Sequence, residues 1–589
     1  MTLPSRVLYI DLSRRTFQVE DRRALFEKYL GGTGVATRLL MENCPEKADP
    51  LGPDNPIVLA VGPLTGLFPL ASKTVAMFKS PLTGNLGESH AGGRSAVSIR
   101  SAGYGAIVIK GSSETPVYLA VHGGDVHFRD ASGIWGILNA ITVGRVVREL
   151  ESNPGLRTVM RIGGAGENLV YYACVTTETY RHFGRLGLGA VFGSKKLKAM
   201  VVSGRESIEV EDKRRYREVY DEIYKAAVGS PLMKKYHDIG TASNVSSLNA
   251  LRGIPIMNLK MPSFPDVEEI SGEKLVEGYL GRRVACAHCP VACVHIAALR
   301  EPYKHEPYFY KTTMISYDYE PIYSLGAMLG VFKIEGFLKL MDTVEAMGMD
   351  AMSTGVTLAW ATEAFEKSLI GEKETLGLEF RWGDYNTYTR AVEMIAHPSN
   401  EFYEALAKGV EYASSQYGGE AFALAFGSNE MPGYHTGPMC YVGYITGSRH
   451  SHLDSAGYTL DQQILKEGKV PNLEESAEKM FMEETWRQIL SSLVVCYFSR
   501  RIYDRDVVLK ALEASGIELG GGDLDSIGLE ILRNKFKFKL REGFNPEKIR
   551  VPSRVFQTET PLGKINEEYL MKSIEHYIEL INRAHELVS

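Results

Sequence analysis

No apolar run in the chain approaches the roughly 18 residues that would read as a membrane span; residues 56–62 and 491–498, the most apolar stretches, have the length of a core strand or a short helix. A basic surplus is also missing. Lys and Arg number 66 against 72 Asp and Glu, a formal net charge of -6, so composition offers no reason to expect nucleic acid, whose binders carry excess positive charge. Cysteine is scarce, seven in 589 residues, and too unevenly placed for a disulfide framework, which points to a reducing compartment, the cytoplasm. The pair Arg14-Arg15 mimics a twin-arginine export signal, yet Glu20 and Asp21 stand where an apolar region would be required. A Walker loop, a long-period repeat and a low-complexity tract are likewise absent from the sequence.

Up to about residue 207 the chain is strand-like and rich in glycine. Residues 7–11 and 15–19 read as a hairpin, and 57–61, 74–78, 106–110, 117–121 and 200–203 as short strands bounded by Gly, Pro and Ser. Helices are expected at 25–41 and 140–151. Beyond residue 210 helical spacing takes over, at 211–227, 334–348, 356–368, 400–417 and 565–587. The expected fold is α+β, a β-rich domain over 1–207 followed by two mainly α-helical domains over 208–417 and 418–589. Patches rich in proline and glycine at 253–266 and 427–438 read as loops that line or cover a site.

Several glycine-rich turns invite a ligand. Gly31-Gly32-Thr33-Gly34 lacks the third glycine of a dinucleotide fingerprint and reads as a helix cap, and Gly163-Gly164-Ala165-Gly166-Glu167 is similarly incomplete. Arg181-His182-Phe183-Gly184-Arg185-Leu186-Gly187-Leu188-Gly189-Ala190 combines arginine forks with glycines that let backbone N–H groups approach an anion, as a phosphate would require. The blander reading is a turn whose arginines pair with local carboxylates. A comparable loop, Lys79-Ser80-Pro81-Leu82-Thr83-Gly84, is followed by His90-Ala91-Gly92-Gly93-Arg94, and the two together suit a ligand with more than one phosphate.

Cys286-Ala287-His288-Cys289-Pro290-Val291-Ala292-Cys293 gathers three of the seven cysteines at C-x2-C-x3-C spacing. Such spacing can aim three thiolates at one centre, an iron–sulfur cluster or zinc. No second C-x2-C completes a zinc set, although His288 or His295 could supply a nitrogen. Cys496, in an apolar stretch, is either a remote fourth ligand or a small core residue.

With Gly62-Pro63-Leu64-Thr65-Gly66, the Lys79–Gly84 loop, Ala165-Gly166-Glu167-Asn168-Leu169, the 181–190 loop running on to Gly193-Ser194-Lys195-Lys196-Leu197-Lys198, and the cysteine triplet, the chain resembles the tungsten-containing large subunit of the aldehyde:ferredoxin oxidoreductase family over essentially its whole length. The resemblance implies tungsten, or molybdenum, held by two pyranopterins above a β-rich cofactor base. It implies one [4Fe–4S] cluster on Cys286, Cys289, Cys293 and Cys496. Pterin contacts then fall on Lys73, His90, Gly92, Arg181, His182, Gly184 and Arg185, with a magnesium ion held partly by the backbone carbonyls of His90 and His182. The family's two D-x-x-G-L motifs are degraded. The first survives as Glu345-Ala346-Met347-Gly348-Met349-Asp350, with contacts at Glu345, Met349 and Asp350; the second has Ser491 in place of the acid, with contacts at Ser491, Val495 and Tyr497. The E-x-x-H iron site between subunits falls on Lys339 and Asp342, so no iron-bridged dimer of that type is expected, and another oligomer stays open.

Oxidising an aldehyde with water requires a base for the nucleophile and a donor for the carbonyl oxygen. The resemblance puts the base at Glu320, in Tyr317-Asp318-Tyr319-Glu320-Pro321, and the donor at His452, with His450 one registration away. The aromatic-rich stretch 303–323, including Tyr308, Phe309 and Tyr310, is a candidate pocket lining. The implied reaction takes aldehydes to carboxylic acids, with electrons passing to ferredoxin or a small iron–sulfur subunit. Cluster potentials vary widely on identical ligands, so a low-potential reductase of a carboxylate or aromatic thioester is a second reading. A zinc-stabilised scaffold without redox chemistry is a third, from another class.

Overall fold

The computed structural model describes residues 3–152, 155–178, 180–468 and 472–586. Between Arg6 and Gly204 the described strands form two six-stranded sheets. The first is built from β1 (Arg6–Asp11), β2 (Thr16–Asp21), β3 (Ile57–Ala60), β4 (Thr74–Lys79), β5 (Leu86–Ala91) and β6 (Ala106–Lys110), in the order β2-β1-β6-β3-β4-β5. The second contains β7 (Val117–His122), β8 (Asp125–Asp130), β9 (Leu156–Arg161), β10 (Val175–Thr177), β11 (Arg181–Phe183) and β12 (Leu197–Gly204), in the order β11-β10-β9-β12-β7-β8. β1 and β2 make the expected hairpin, from Arg6↔Asp21 to Asp11↔Thr16, while β1–β6 and β7–β12 run parallel. Strands β3, β4 and β12 are buried along nearly their whole length, which is why they read as continuous apolar runs. Leu59 and Ile107 from one sheet share an apolar core with Leu119 and Val202 from the other.

The expected helices are present, with breaks where the backbone turns left-handed. The 25–41 segment is two helices, Arg23–Tyr29 and Gly32–Asn43, separated at Leu30 (φ +67°). The 400–417 segment divides into Glu401–Ala407 and Val410–Tyr417 at Gly409 (φ +97°). Asn139 and Asp212 cap the helices Ala140–Leu150 and Lys213–Gly229 through their side chains. The 565–587 segment is the helix Glu567–Glu586, and Leu587 lies outside the described residues. One apolar core joins the helical elements, from Val245 through Trp360 to Ile581. No helix among the described residues is long and apolar enough to cross a membrane.

Within the helical part stands a sheet that the pattern did not announce: β13 (Leu280–Val284), β14 (Val294–Tyr303) and β15 (Glu306–Tyr317), antiparallel in that order. It corrects the pocket assignment for the first half of the aromatic stretch, while Tyr317 and Tyr319 in its second half do line a cavity. Tyr308 is 92% exposed, Phe309 64% and Tyr310 50%, because the hairpin runs past the body of the protein and only its root, Ile315 to Tyr317, is buried. Of the two proline- and glycine-rich loops, 253–266 buries Ile254, Ile256 and Leu259 in the core, whereas 427–438 brings Asn429 and Tyr434 to a cavity.

Residues 491–496 follow the long helix Leu473–Ser492 and lie against the glycine turns of the β-rich part. A Cβ on Gly32 would stand 2.2 Å from the Ser491 carbonyl oxygen, and one on Gly62 2.7 Å from the Leu493 carbonyl carbon. The Gly34 N–H donates to Ser492 Oγ at 3.1 Å. Gly32 also has a left-handed φ of +37°. Gly32→Ala is therefore expected to destabilise the protein by about 2 kcal/mol or more, seen as a lower thermal unfolding midpoint; an unchanged midpoint would show that the turn can yield.

Candidate functional site

Backbone hydrogen bonds bring the remote cysteine to the triplet. Leu70, left-handed at φ +66°, donates its N–H to the His288 carbonyl at 3.2 Å and accepts from the Cys496 N–H at 2.9 Å. Ala287 N–H donates to the Gly93 carbonyl at 2.8 Å, and His288 and Ala292 adopt positive φ of 55° and 52°, which coil the triplet loop. A Cβ on Gly92 would fall 2.8 Å from Cys286 Sγ, so glycine there admits the sulfur beside β5. Burial pushes the Cys293 thiol up, with the neighbouring Cys496, Cys286 and Cys289 adding to the rise and Arg181 opposing it. Burial alone would lower Arg181, but Cys286, Asp318, Cys293 and Cys496 hold it above the usual range. The four thiols are thus neighbours, with the Arg181 guanidinium near Cys286, Cys293 and Cys496.

The same residues weigh zinc against a cluster. Both ring nitrogens of His295 face backbone carbonyls, Cys293 at 3.1 Å and Asp238 at 3.3 Å, and His288 is exposed. Among the described residues no three His, Cys, Asp or Glu side chains converge closely enough to grip a single ion. Ligands of one zinc lie about 2.0–2.3 Å from it, whereas the thiolates of a cluster stand around a larger body.

Cys286, Cys293 and Cys496 lie along one side of a cavity of about 390 Å³ that continues between the β-rich part and the helices, partly open to solvent. Lys73, His90, Gly92, Arg181 and His182 line it from the β-rich side, with Gly184 and Arg185. Lys73 Nζ lies 5.5 Å from the centre of the Tyr497 ring. Burial would raise Glu88, but Lys535 at 2.5 Å and His90 at 2.6 Å hold it well below the usual carboxylate range. On β11, His182 Nε2 lies 3.4 Å from Glu345 Oε1. Arg185 donates to Asp350 at 3.0 Å and to the Glu430 carbonyl at 2.7 Å, leaving its Nη1 buried with no partner.

The degraded motifs divide. Glu345, Met349 and Asp350 line the cavity, but Asp350 is spent on capping the helix Ala351–Glu366 through Met352 N–H and on holding Arg185 and Ser353. Ser491 and Val495 do not line it. The Ser491 hydroxyl bonds the Tyr497 hydroxyl, and Val495 packs in the core beneath. One helical turn before Ser491, Arg487 reaches the cavity instead, 5.2 Å over the Tyr497 ring and bonded to the Leu453 carbonyl at 2.5 Å.

Glu320 sits in the first turn of the helix Tyr319–Leu325, where Pro321 costs no needed N–H. Its Oε2 accepts from Gly433 N–H at 3.1 Å and its Oε1 lies 3.4 Å from His452 Nε2. Burial pushes the Glu320 carboxyl up to about 8, partly offset by the Gly433 N–H. Burial and the guanidiniums of Arg185, Arg449 and Arg487 hold His452 well below the usual imidazole range. Both are therefore neutral near pH 7, and Glu320 Oε1 and His452 Nδ1 are buried without hydrogen-bond partners. The turn before His452 is fixed by Asp454, which accepts from Arg449 Nε at 2.6 Å and Ser451 N–H at 2.9 Å. His450 is excluded from the cavity. Its left-handed backbone (φ +54°) turns the ring under Gly427, where Nδ1 faces the Tyr444 carbonyl at 2.9 Å and Nε2 faces Lys539 Nζ at 3.2 Å.

The N-terminal domain of aldehyde ferredoxin oxidoreductase matches residues 7–204 of the chain, and domains 2 and 3 of that enzyme match residues 218–583. The chain belongs to the aldehyde ferredoxin oxidoreductase family. Tungsten-containing aldehyde ferredoxin oxidoreductases of Thermococcus kodakarensis and Pyrococcus furiosus are 31% and 30% identical to it over 95% of this chain and 92% of theirs. An aliphatic sulfonate oxidoreductase subunit of Pyrococcus furiosus is 30% identical over 77% of this chain and 76% of its own. Among solved structures, the BamBC active-site complex of benzoyl coenzyme A reductase superposes with a TM-score of 0.83 at 20% identity, covering 98% of this chain and 94% of that one.

The cavity fits an aldehyde ferredoxin oxidoreductase cofactor on this chain's own atoms: an unpartnered arginine nitrogen, a glycine just after β5 that admits a thiol, and cationic groups along its lining. Sequence reading missed Arg449, Arg487, Tyr434 and Tyr458, which all line it. Arg449 adjoins His450, Arg487 is one turn from Ser491, and Tyr434 lies in the 427–438 loop expected to line a site; Tyr458 had no signal. Protein purified without oxygen is expected to carry about four iron atoms per chain, and Cys496→Ser to lose iron while still folding. Full iron retention in that variant would remove Cys496 from the ligand set.

Proposed function

We propose that the protein oxidises an aldehyde to its carboxylic acid with water and passes the electrons through a cluster on Cys286, Cys289, Cys293 and Cys496 to ferredoxin or a small iron–sulfur subunit. The observation that carries this is the neutral Glu320–His452 pair, 3.4 Å apart at the wall of a cavity that also reaches the cysteines. Tungsten, or molybdenum, on two pyranopterins would supply a two-electron acceptor, and the cluster a one-electron exit. Lys73, Arg181, Arg185 and Gly92 would hold the pterins with Arg449 and Arg487, and the carbonyls of His90 and His182 a bridging magnesium.

His452 with its proton on Nδ1 offers that otherwise unpartnered N–H to the substrate's carbonyl oxygen, while the protonated Glu320 carboxyl faces Nε2 at 3.4 Å. Loss of that carboxyl proton gives the base that takes a proton from water as its oxygen bonds the carbonyl carbon. Gly433 N–H keeps the carboxyl plane fixed through Oε2. Tyr434, 5.1 Å from the His452 ring and stacked on Tyr458 at 4.4 Å, walls off the imidazole.

A specific feature favours a second reading. Tyr434–Tyr458 and Tyr236–Phe498, stacked at 4.4 and 4.5 Å, give the cavity aromatic walls, which suit an aromatic substrate run in the reducing direction, a carboxylate or thioester. An aldehyde panel with an oxidised viologen, set against an aromatic thioester with reduced viologen, separates the two.

Glu320→Gln is expected to lower turnover about 10²- to 10⁴-fold with metal content unchanged; a loss of threefold or less would dismiss Glu320 as the base. Because the working form is the carboxylate and burial raises its pKa, kcat should climb as pH rises through about 8. Asp318 and Asp350 push that value up and Arg185 pulls it down, so Asp350→Asn should move the rising limb to lower pH, and a limb that stays put would mean another group titrates.

A further inference from the structure

We infer that the β13–β15 sheet is the docking arm for the electron-accepting partner, an acidic iron–sulfur protein of ferredoxin size. This rests on the reading that electrons leave through the four cysteines. The arm brackets the cysteine loop, since β13 ends at Val284, two residues before Cys286, and β14 starts at Val294, directly after Cys293. Whatever lies along the arm is held beside the cluster site. Ten residues of β14 at about 3.3 Å each reach some 33 Å. A compact domain of about 70 residues has a radius of gyration of about 11 Å and hence a diameter of about 28 Å, so one seated on the loop, where Ala285 and His288 are exposed, lies along most of the arm.

The surface has the composition of an interface and no cover among the described residues. Tyr303, Tyr308, Phe309 and Tyr310 are all at least half exposed, an apolar group of a kind that monomer surfaces seldom leave bare. Arg300 is held 4.5 Å over the Tyr310 ring, and aromatic residues with arginine are what binding hot spots are made of. The charge sets the partner's sign. Arg282, Arg283, Arg300, Lys304 and Lys311 stand against Glu301 and Glu306, and Glu301 is already paired with Lys339 at 2.8 Å. β15 is a sheet edge, exposed from Glu306 to Thr312, so its backbone can also take up an added strand.

The test compares holoenzyme with Tyr308→Ser/Phe309→Ser and with Lys304→Glu/Lys311→Glu, using a purified acidic ferredoxin as probe. Titration calorimetry is expected to show the wild type binding, both variants at least tenfold weaker, and the salt dependence reduced in the charge-reversed one, while viologen-linked aldehyde oxidation stays within twofold. No binding by the wild type, or equal binding by all three, overturns the inference. So does a wild-type dimer in sedimentation that the Tyr308/Phe309 variant dissolves with ferredoxin affinity intact, which would make the arm a contact between two copies. Binding needs no turnover and the dye assay needs no ferredoxin, so the docking surface and the proposed reaction fail separately.

Discussion

The structure depends on the contact of one backbone with another at Leu70. Its N–H reaches the triplet loop at His288 and its carbonyl takes the N–H of Cys496, so a single residue in a left-handed turn ties the β-rich base to both sources of thiol. The neighbouring contacts make that geometry possible. Gly32 and Gly62 have no side chain where the 491–493 backbone passes, and Lys73 N–H, three residues beyond Leu70, donates to the Val494 carbonyl at 3.3 Å. Each of these bonds is ordinary in strength, but together they fix where the helical part sits on the base and therefore the width of the cavity between them.

Inside that cavity burial acts on the two neighbouring groups in opposite directions. It disfavours charge on either, so the carboxyl of Glu320 rises and the imidazole of His452 falls. Arg185, Arg449 and Arg487 strengthen the effect on the imidazole. The outcome is a proton kept on an acid whose affinity for it lies close to neutral pH, which is where proton transfer in both directions is least costly. The arginines that keep His452 neutral are the ones that face the cofactor space, so an anionic group placed there would act on the imidazole as well as being held.

Much of this was legible in the sequence where one physical signal dominated. Buried strands such as β3 and β12 are unbroken apolar runs, and amphipathic helices such as Lys213–Gly229 declare their spacing. The cysteine triplet and the histidines at 450 and 452 led to a stretch of chain that lines the cavity through Cys286, Cys293 and His452. β10 and β11 escaped because three residues are too few to show a period, and β15 because its exposed half carries no alternation to read. The choice between His450 and His452 was closed to sequence, since it turns on a single positive φ at His450. Ser491 and Val495 were misplaced for a similar reason. In a tight turn, adjacent residues face opposite ways, and it is Arg487 from the preceding turn that reaches the cavity.

The Leu70 bridge also says something about how such a protein is made. Its three residues lie at positions 70, 288 and 496, so the pocket for the fourth thiol cannot exist until residue 496 has left the ribosome. The base can fold early, for its sheets close within the first 204 residues. A centre drawing on all four thiols would have to wait until residue 496 is made, and until then the triplet's cysteines stay uncommitted.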